Sequence, residues 1–258
     1  MDPNPLQRIL EGFAREPGRS AYAVLRTPER SWAGGVHADA LAPAASVLKL
    51  VVGMVLEPRL AHLRPARAGE LVRSEDTSIL HALLPEHEIS ARELHALMLS
   101  ASDAPATRWA VREAGMGAIR EGARAAGLHR TRIEADTHFG VLGQTTAREA
   151  VDLMIAAADP ARFPACSRAL RHSITNSRIP LGVDADDIEI AHKTGTLRGV
   201  AHDVAHLTCD RGDAWLAFLS YDQHDTLVTG YEMGVATRSL LEYAGLQVTS
   251  TRSVSARP

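Results

Sequence analysis

Ser46 and Lys49, in the run Pro43-Ala44-Ala45-Ser46-Val47-Leu48-Lys49-Leu50, place a hydroxyl and an amine three positions apart at the head of an apolar stretch. On a helix of about 3.6 residues per turn, positions i and i+3 share a face, so the two groups converge. The pair is a nucleophile beside a candidate base. A serine in the first turn of a helix also lies among backbone N–H groups without intrahelical partners, which can hold the oxyanion formed when it attacks a carbonyl. Two fixed residues in four occur by chance in most chains of this size. Val47, Leu50, Val51, Met54 and Val55 also follow the spacing of an ordinary buried helix face. Support has to come from elsewhere in the chain.

Two later clusters supply it. In Ser100-Ala101-Ser102-Asp103, at a helix junction, Ser102 can relay a proton between Lys49 and a leaving group. Taken alone, Ser102-Asp103 reads as a helix N-cap. In His192-Lys193-Thr194-Gly195-Thr196, at a strand end, Lys193 can bind a carboxylate, Gly195 permits close backbone approach, and the Thr196 N–H can complete an oxyanion hole. Taken alone, Lys-Thr-Gly reads as a turn. Their joint presence, in this order and at these junctions, favours chemistry. Lys49 acts as a base only when neutral, so its pKa must fall about 3 units from about 10.4. Burial beside the apolar face and repulsion from Lys193 both act in that direction.

The elements that must position these groups are legible in the same residues. Leu6, Ile9, Leu10 and Phe13 predict a first helix over 5–15, ended by Pro17-Gly18. Ser20–Arg26 and Arg30–Val36 predict a hairpin around Thr27-Pro28-Glu29, followed by the Ser46 helix, which runs to Leu56 and is closed by Pro58. Between Leu60 and Leu170 the pattern is helical, with capping-box signatures at Ser90–Glu93 and Thr146–Glu149 and helices over 104–114 and 116–126. Residues 127–144 lack a period and read as a loop that lines a cleft. Strand runs return at Ile188–His192, Val204–Thr208 and Trp215–Tyr221, with turns at Gly195, Gly199 and Gly212. A final helix spans Thr226–Tyr243 and a polar tail covers 247–258. Strands at both ends with helices between them imply one sheet assembled from the two termini beside an all-helical part. The expected organisation is a single catalytic domain over 1–246, its sheet part at 1–45 and 180–246 and its helical part at 46–179.

The bulk composition restricts the function further. The 258 residues are 45% apolar with a formal charge of −3, enough for a sizeable core and without the basic surplus that nucleic acid demands. The first residues lack the order of a secretory signal and no apolar run approaches a membrane span, so the expected location is the cytoplasm. Cys166 and Cys209 are expected as free thiols. Among twelve histidines, His202-Asp203-Val204-Ala205-His206 comes nearest to ligand spacing. With no HExxH present, neither a metal nor another cofactor is expected. The expected partner is a small molecule, with no nucleic acid and no membrane; oligomeric state is not legible.

With these segments in hand the chain resembles the class A β-lactamases and the related penicillin-binding D,D-peptidases, whose SxxK, SDN and KTG motifs match Ser46–Lys49, Ser102–Ala104 in part, and Lys193–Gly195. The likeness extends through Ala191–Asp203 and includes Arg178-Ile179-Pro180. It implies an α/β fold, a five-stranded antiparallel sheet flanked by helices with a helical subdomain. It also implies roles: Ser46 is acylated, Lys49 accepts its proton, Ser102 shuttles the proton, Lys193 and Thr194 anchor a substrate carboxylate, and the N–H groups of Ser46 and Thr196 form the oxyanion hole.

Two departures bear on substrate and turnover. The family's SDN is Ser102-Asp103-Ala104 here, so position 104 has no amide to hold a substrate acylamino group. The family's glutamate followed by an LN pair is absent. The nearest substitute in Arg132-Ile133-Glu134-Ala135-Asp136 is Glu134, then Asp136. The expected function is a serine hydrolase acting through a Ser46 acyl-enzyme on an amide, ester or β-lactam that bears a carboxylate. The alternatives are a D,D-peptidase or small-molecule acyl-transferase, a slow-turnover covalent binder or sensor, and, remotely, a metal hydrolase.

Overall fold

The structure, a computed structural model, describes residues 5–136, 138 and 140–247, so the expected tail from 248 onward lies outside the described residues. Helix α1 (Pro5–Phe13) leads to strands β1 (Arg19–Arg26), β2 (Ser31–Val36) and the short β3 (Ala42–Pro43). A 3-10 turn (Ala45–Leu48) then runs into α2 (Lys49–Leu56). Next come β4 (Ala66–Arg67), α3 (Ala68–Leu71), β5 (Glu88–Ile89), α4 (Ala91–Ser100), α5 (Ala104–Ala114) and α6 (Met116–Ala125). Strands β6 (Arg132–Asp136) and β7 (Gly140–Thr145) precede α7 (Ala147–Ala157) and α8 (Pro164–Arg171). The chain closes with β8 (Glu189–Leu197), β9 (Val200–Cys209), β10 (Gly212–Ser220) and α9 (Thr226–Tyr243).

The main sheet has five strands in the order β2-β1-β10-β9-β8, all antiparallel, and is the expected sheet built from both ends of the chain. Successive side chains of a strand point to opposite faces, so each strand serves two cores. Ala21, Ala23 and Leu25 of β1 with Ala214, Leu216 and Phe218 of β10 pack with α1 and α9 on one face. Trp215, Ala217 and Leu219 of β10 pack with α2 and α7 on the other. Burial on both faces explains why these strands read as nearly continuous apolar runs. Helix α2 is central to the second core: Leu50, Val51, Val52, Gly53, Met54 and Leu56 are buried all round it, and so is Lys49.

Several expectations change. Ser46 sits in a 3-10 turn, not in the α-helix that begins at Lys49. A 3-10 turn has about three residues per turn, so positions 46 and 49 eclipse more closely than on an α-helix. Pro58 does not end the element, because it occupies the first turn of a further 3-10 segment, Glu57–His62, where its missing N–H costs nothing. Gly195 is inside β8, paired with His202, and is not a turn residue. The helical part is not all-helical: residues expected as a loop form the β6–β7 hairpin, to which β3 adds a third strand.

Glu149 explains why that hairpin forms where local pattern gave no strand. The Ser90–Glu93 capping box is reciprocal as expected. At Thr146 only half of the box forms: Thr146 accepts the Glu149 N–H. The Glu149 carboxylate instead accepts the N–H groups of His129 (2.8 Å), Arg130 (2.7 Å) and Thr131 (2.7 Å), and the Thr131 hydroxyl at 2.6 Å. Three consecutive amides are thereby pinned to a buried carboxylate at the entry to β6. Gly143 then lets the strands close: a Cβ there would stand 1.9 Å from the Arg132 carbonyl oxygen. Its own carbonyl accepts the Ala44 N–H at 2.8 Å, which ties the hairpin to the segment carrying Ser46.

Candidate active site

The three motif segments meet in one cleft of about 540 Å³. The 45–49 segment contributes Ala45, Ser46 and Lys49, the α4–α5 junction contributes Ser102 and the start of α5 Ala104, and β8 contributes Thr194, Thr196 and Leu197. Residues that no motif marked complete the lining: Glu75, Asp76 and Thr77 from the segment after α3, His138 and Leu142 at the β6–β7 hairpin, and Thr175 from the segment after α8. Lys193 and Gly195 do not line it directly. Lys193 is 1% exposed and reaches the cleft only through its ammonium.

Local backbone explains how these groups are presented. Ala45 and Ser102 both take positive φ, 46° and 57°, a left-handed conformation that side-chain-bearing residues adopt at a cost. Strain is therefore stored beside Ser46 and at the junction that turns Ser102 into the cleft. Gly195 lets β8 approach: a Cβ there would stand 3.2 Å from the Ala45 Cβ and 3.1 Å from the His202 ring. Asp103 performs the capping role read in the sequence. Its carboxylate accepts the Ala106 N–H at 2.9 Å and the Ser78 hydroxyl at 2.5 Å.

Ser102 Oγ lies between two amines. Lys49 Nζ is 3.1 Å from it and donates to the Ser102 carbonyl oxygen at 2.7 Å. Lys193 Nζ is 3.0 Å from it and donates to the Thr194 carbonyl oxygen at 2.9 Å. Two buried ammoniums on one hydroxyl oppose each other's charge. Burial lowers the Lys49 pKa to about 7, with the Asp103 carboxylate pulling the other way. Burial also pushes Lys193 well below the usual range, helped by the charges of Lys49 and Arg178 and opposed by Asp203. For Lys49, then, desolvation provides the shift that the sequence reading divided between burial and Lys193.

Behind β8 a buried scaffold holds the strand. Arg178 donates to the carbonyls of Gly195 (3.0 Å) and His202, and to the Thr196 hydroxyl at 2.6 Å. His192 faces away from the cleft, with Nδ1 3.0 Å from Asp203 and Nε2 3.1 Å from Asn176. His202 accepts the Ser220 N–H on Nδ1 at 3.0 Å, so its proton is on Nε2 and is donated to the Pro43 carbonyl at 2.5 Å. Burial lowers its pKa to about 4, which keeps this bridge neutral. His206 hydrogen-bonds Asp213 at 2.7 Å and stacks on Trp215, so the two histidines considered as ligands have separate structural partners. Among the described residues the donors that gather for a metal are Glu57, His95 and Cys166, within 4.8 Å of one another, and none lines the cleft. Glu57 there caps α8 through the N–H groups of Ala165 and Cys166.

Glu134 is not brought to Ser46. It is exposed on β6 and pairs across from Leu142, which itself lines the cleft, so Glu134 sits one strand further out, about 5 Å away. Asp136, the second substitute, also lies outside the lining. The carboxylates in the lining are Glu75 and Asp76, and Asp76 is committed. Arg108 donates to both its oxygens, at 2.8 and 2.5 Å, and holds its carboxyl below the usual carboxylate range.

Residues 4–241 match the family described as "Beta-lactamase enzyme family". No curated protein matches the chain. Among solved structures, a beta-lactamase from Sphaerobacter thermophilus superposes with a TM-score of 0.80 at 19% identity, over 95% of this chain and 98% of that one. PBP-A superposes with a TM-score of 0.78 at 19% identity, over 95% and 97%. A mutant of PBP-A that is an acyl-enzyme complex with penicillin G gives 0.77 at 18% identity, over 95% and 97%. At such identities the likeness establishes the fold. Among the described residues no helix is long and apolar enough to cross a membrane.

Proposed function

The chain belongs to the beta-lactamase enzyme family, and from that premise we propose that it is a serine hydrolase of class A type, acting through an acyl-enzyme on Ser46. Its substrate is an amide, ester or β-lactam that carries a carboxylate. The observation that carries this reading is the Lys49–Ser102–Lys193 triad, with Ser102 Oγ at 3.1 and 3.0 Å from the two amines, in the cleft that Ser46 lines.

The chemistry follows from those positions. Neutral Lys49 removes the Ser46 proton as Oγ bonds to the substrate carbonyl carbon, and the N–H groups of Ser46 and Thr196 receive the oxyanion. The carbonyl re-forms as the bond to the leaving nitrogen or oxygen breaks. Ser102 gives its proton to the leaving atom and is reprotonated from Lys49, so no proton is lost. Lys193 and Thr194 hold the substrate carboxylate. Arg178 acts through Thr196 and Gly195 and is a positioning residue.

Release of the acyl group is slow in this reading. Glu134 stands outside the lining, Asp76 is bound by Arg108, and Glu75, the other carboxylate of the lining, is exposed and bonded to the Ser74 hydroxyl, so among the described residues no carboxylate is held in place by the protein to activate water at Ser46. That arrangement favours a second reading for the later half of the reaction, acyl transfer or durable covalent binding. Cys166 and Cys209 are free thiols, which fits a reducing compartment such as the cytoplasm.

Intact-mass measurements over time, after mixing with a penicillin or a small ester, separate these readings. The adduct is expected to outlast minutes with the penicillin. Decay within minutes supports an efficient hydrolase, and shortening of its life by added amines supports acyl transfer. No adduct with either reagent contradicts the acyl-enzyme proposal.

A further inference from the structure

Glu75 gives the cleft a negative charge that the acylation chemistry leaves unused. It lines the cleft with Ser46 and Ala104, and it is exposed. Among the described residues its hydrogen bond is from the Ser74 hydroxyl, at 3.2 Å, and no ion pair involves it. Its neighbour Asp76 is the opposite case. Both terminal nitrogens of Arg108 are engaged there, with Asp76 on two atoms, the His138 carbonyl at 2.8 Å and the Leu71 carbonyl at 3.3 Å, so its charge is committed to Asp76. One cleft carboxylate is thus neutralised by the protein and the other is presented to what enters.

The rest of the cleft restricts what that is. Lys193, whose ammonium meets Ser102 Oγ at 3.0 Å, is the group assigned above to an anionic group of the ligand. Ala104 offers only a methyl group, so it can neither donate to nor accept from the acyl part of a substrate. A ligand with an anionic group at Lys193 and a cationic one at Glu75 is complementary to both ends of the cleft.

Resting on the acyl-enzyme reading above, we propose that Glu75 binds a substrate ammonium. The preferred substrates are zwitterionic acyl donors: α-aminoacyl amides or esters with a free amine on the acyl side and a carboxylate on the leaving side.

Two penicillins that differ only in an α-ammonium on the acyl side chain test this directly. In the unmodified protein the ammonium-bearing compound should acylate about three- to five-fold faster, the scale of a solvent-exposed ion pair. That preference should shrink with added salt. In Glu75→Gln the ratio should fall to near one, and in Glu75→Lys it should invert. Equilibrium binding of the same pair to the Ser46→Ala protein, read by calorimetry, needs no acylation and isolates the subsite. A Glu75-dependent preference there supports the proposal even if Ser46 is never labelled, a result that would count against the acyl-enzyme reading alone. Equal binding of the pair, no binding of either, or a preference that survives Glu75→Gln overturns it.

Discussion

Lys49→Ala should slow acylation of Ser46 by at least about 100-fold, in line with the contribution of a positioned general base. The reason lies in the burial of α2. Lys49 is 4% exposed on a helix that is apolar all round, and its amine is held by the carbonyl and the hydroxyl of Ser102. Alanine removes the proton acceptor and leaves the carbonyl of Ser102 without its donor. Water entering the vacated space cannot reproduce the same geometry at a desolvated position. Lys49→Arg should be almost as inactive, because a guanidinium does not deprotonate in this pH range. Stopped-flow acylation rates with a chromogenic β-lactam measure both variants. Rates within a few-fold of the unmodified protein in either variant would remove Lys49 from the base's role.

Acylation should rise between pH 5 and pH 7, by about fifty-fold. Burial lowers the Lys49 pKa to about 7, so the amine is half neutral near pH 7. The active form is the deprotonated one. Below the pKa its fraction falls ten-fold per pH unit, to about one in a hundred at pH 5. His202, held neutral with a pKa of about 4, does not titrate in that window. Asp76 is kept ionised by Arg108. His138 lines the cleft, so His138→Gln is the control: its midpoint should match that of the unmodified protein. A flat profile from pH 5 to 8, or a midpoint displaced in His138→Gln, would contradict the assignment to Lys49.

The parts of this site that short local patterns encode are legible in the sequence. Ser46 and Lys49 lie one turn apart in any helical geometry, and β8 carries Lys193–Thr196 in consecutive residues. The central strands of the main sheet alternate or run apolar because both their faces are buried, so strands at the two ends of the chain are legible as one sheet. The β6–β7 hairpin was not legible. Its strands hold mixed charge and glycine, and what fixes them is the Glu149 carboxylate some eighteen residues on, acting on backbone amides that carry no side-chain signature. Taken as a cleft-lining loop, that segment would bring Glu134 to the site, whereas strand geometry sets it one strand away. Glu75 and Asp76 escaped notice because their meaning depends on Arg108, distant in sequence and itself unremarkable there. His202 illustrates the converse: its spacing to His206 suggested ligands, but its two nitrogens bridge Ser220 and Pro43.

The most direct test of the account is to locate the adduct. After reaction with a penicillin, proteolysis and tandem mass spectrometry should place the added mass on Ser46, within the peptide that contains Ala44–Lys49, and Ser46→Ala should carry none under the same conditions. An adduct on another residue, or one that persists undiminished in Ser46→Ala, would contradict it.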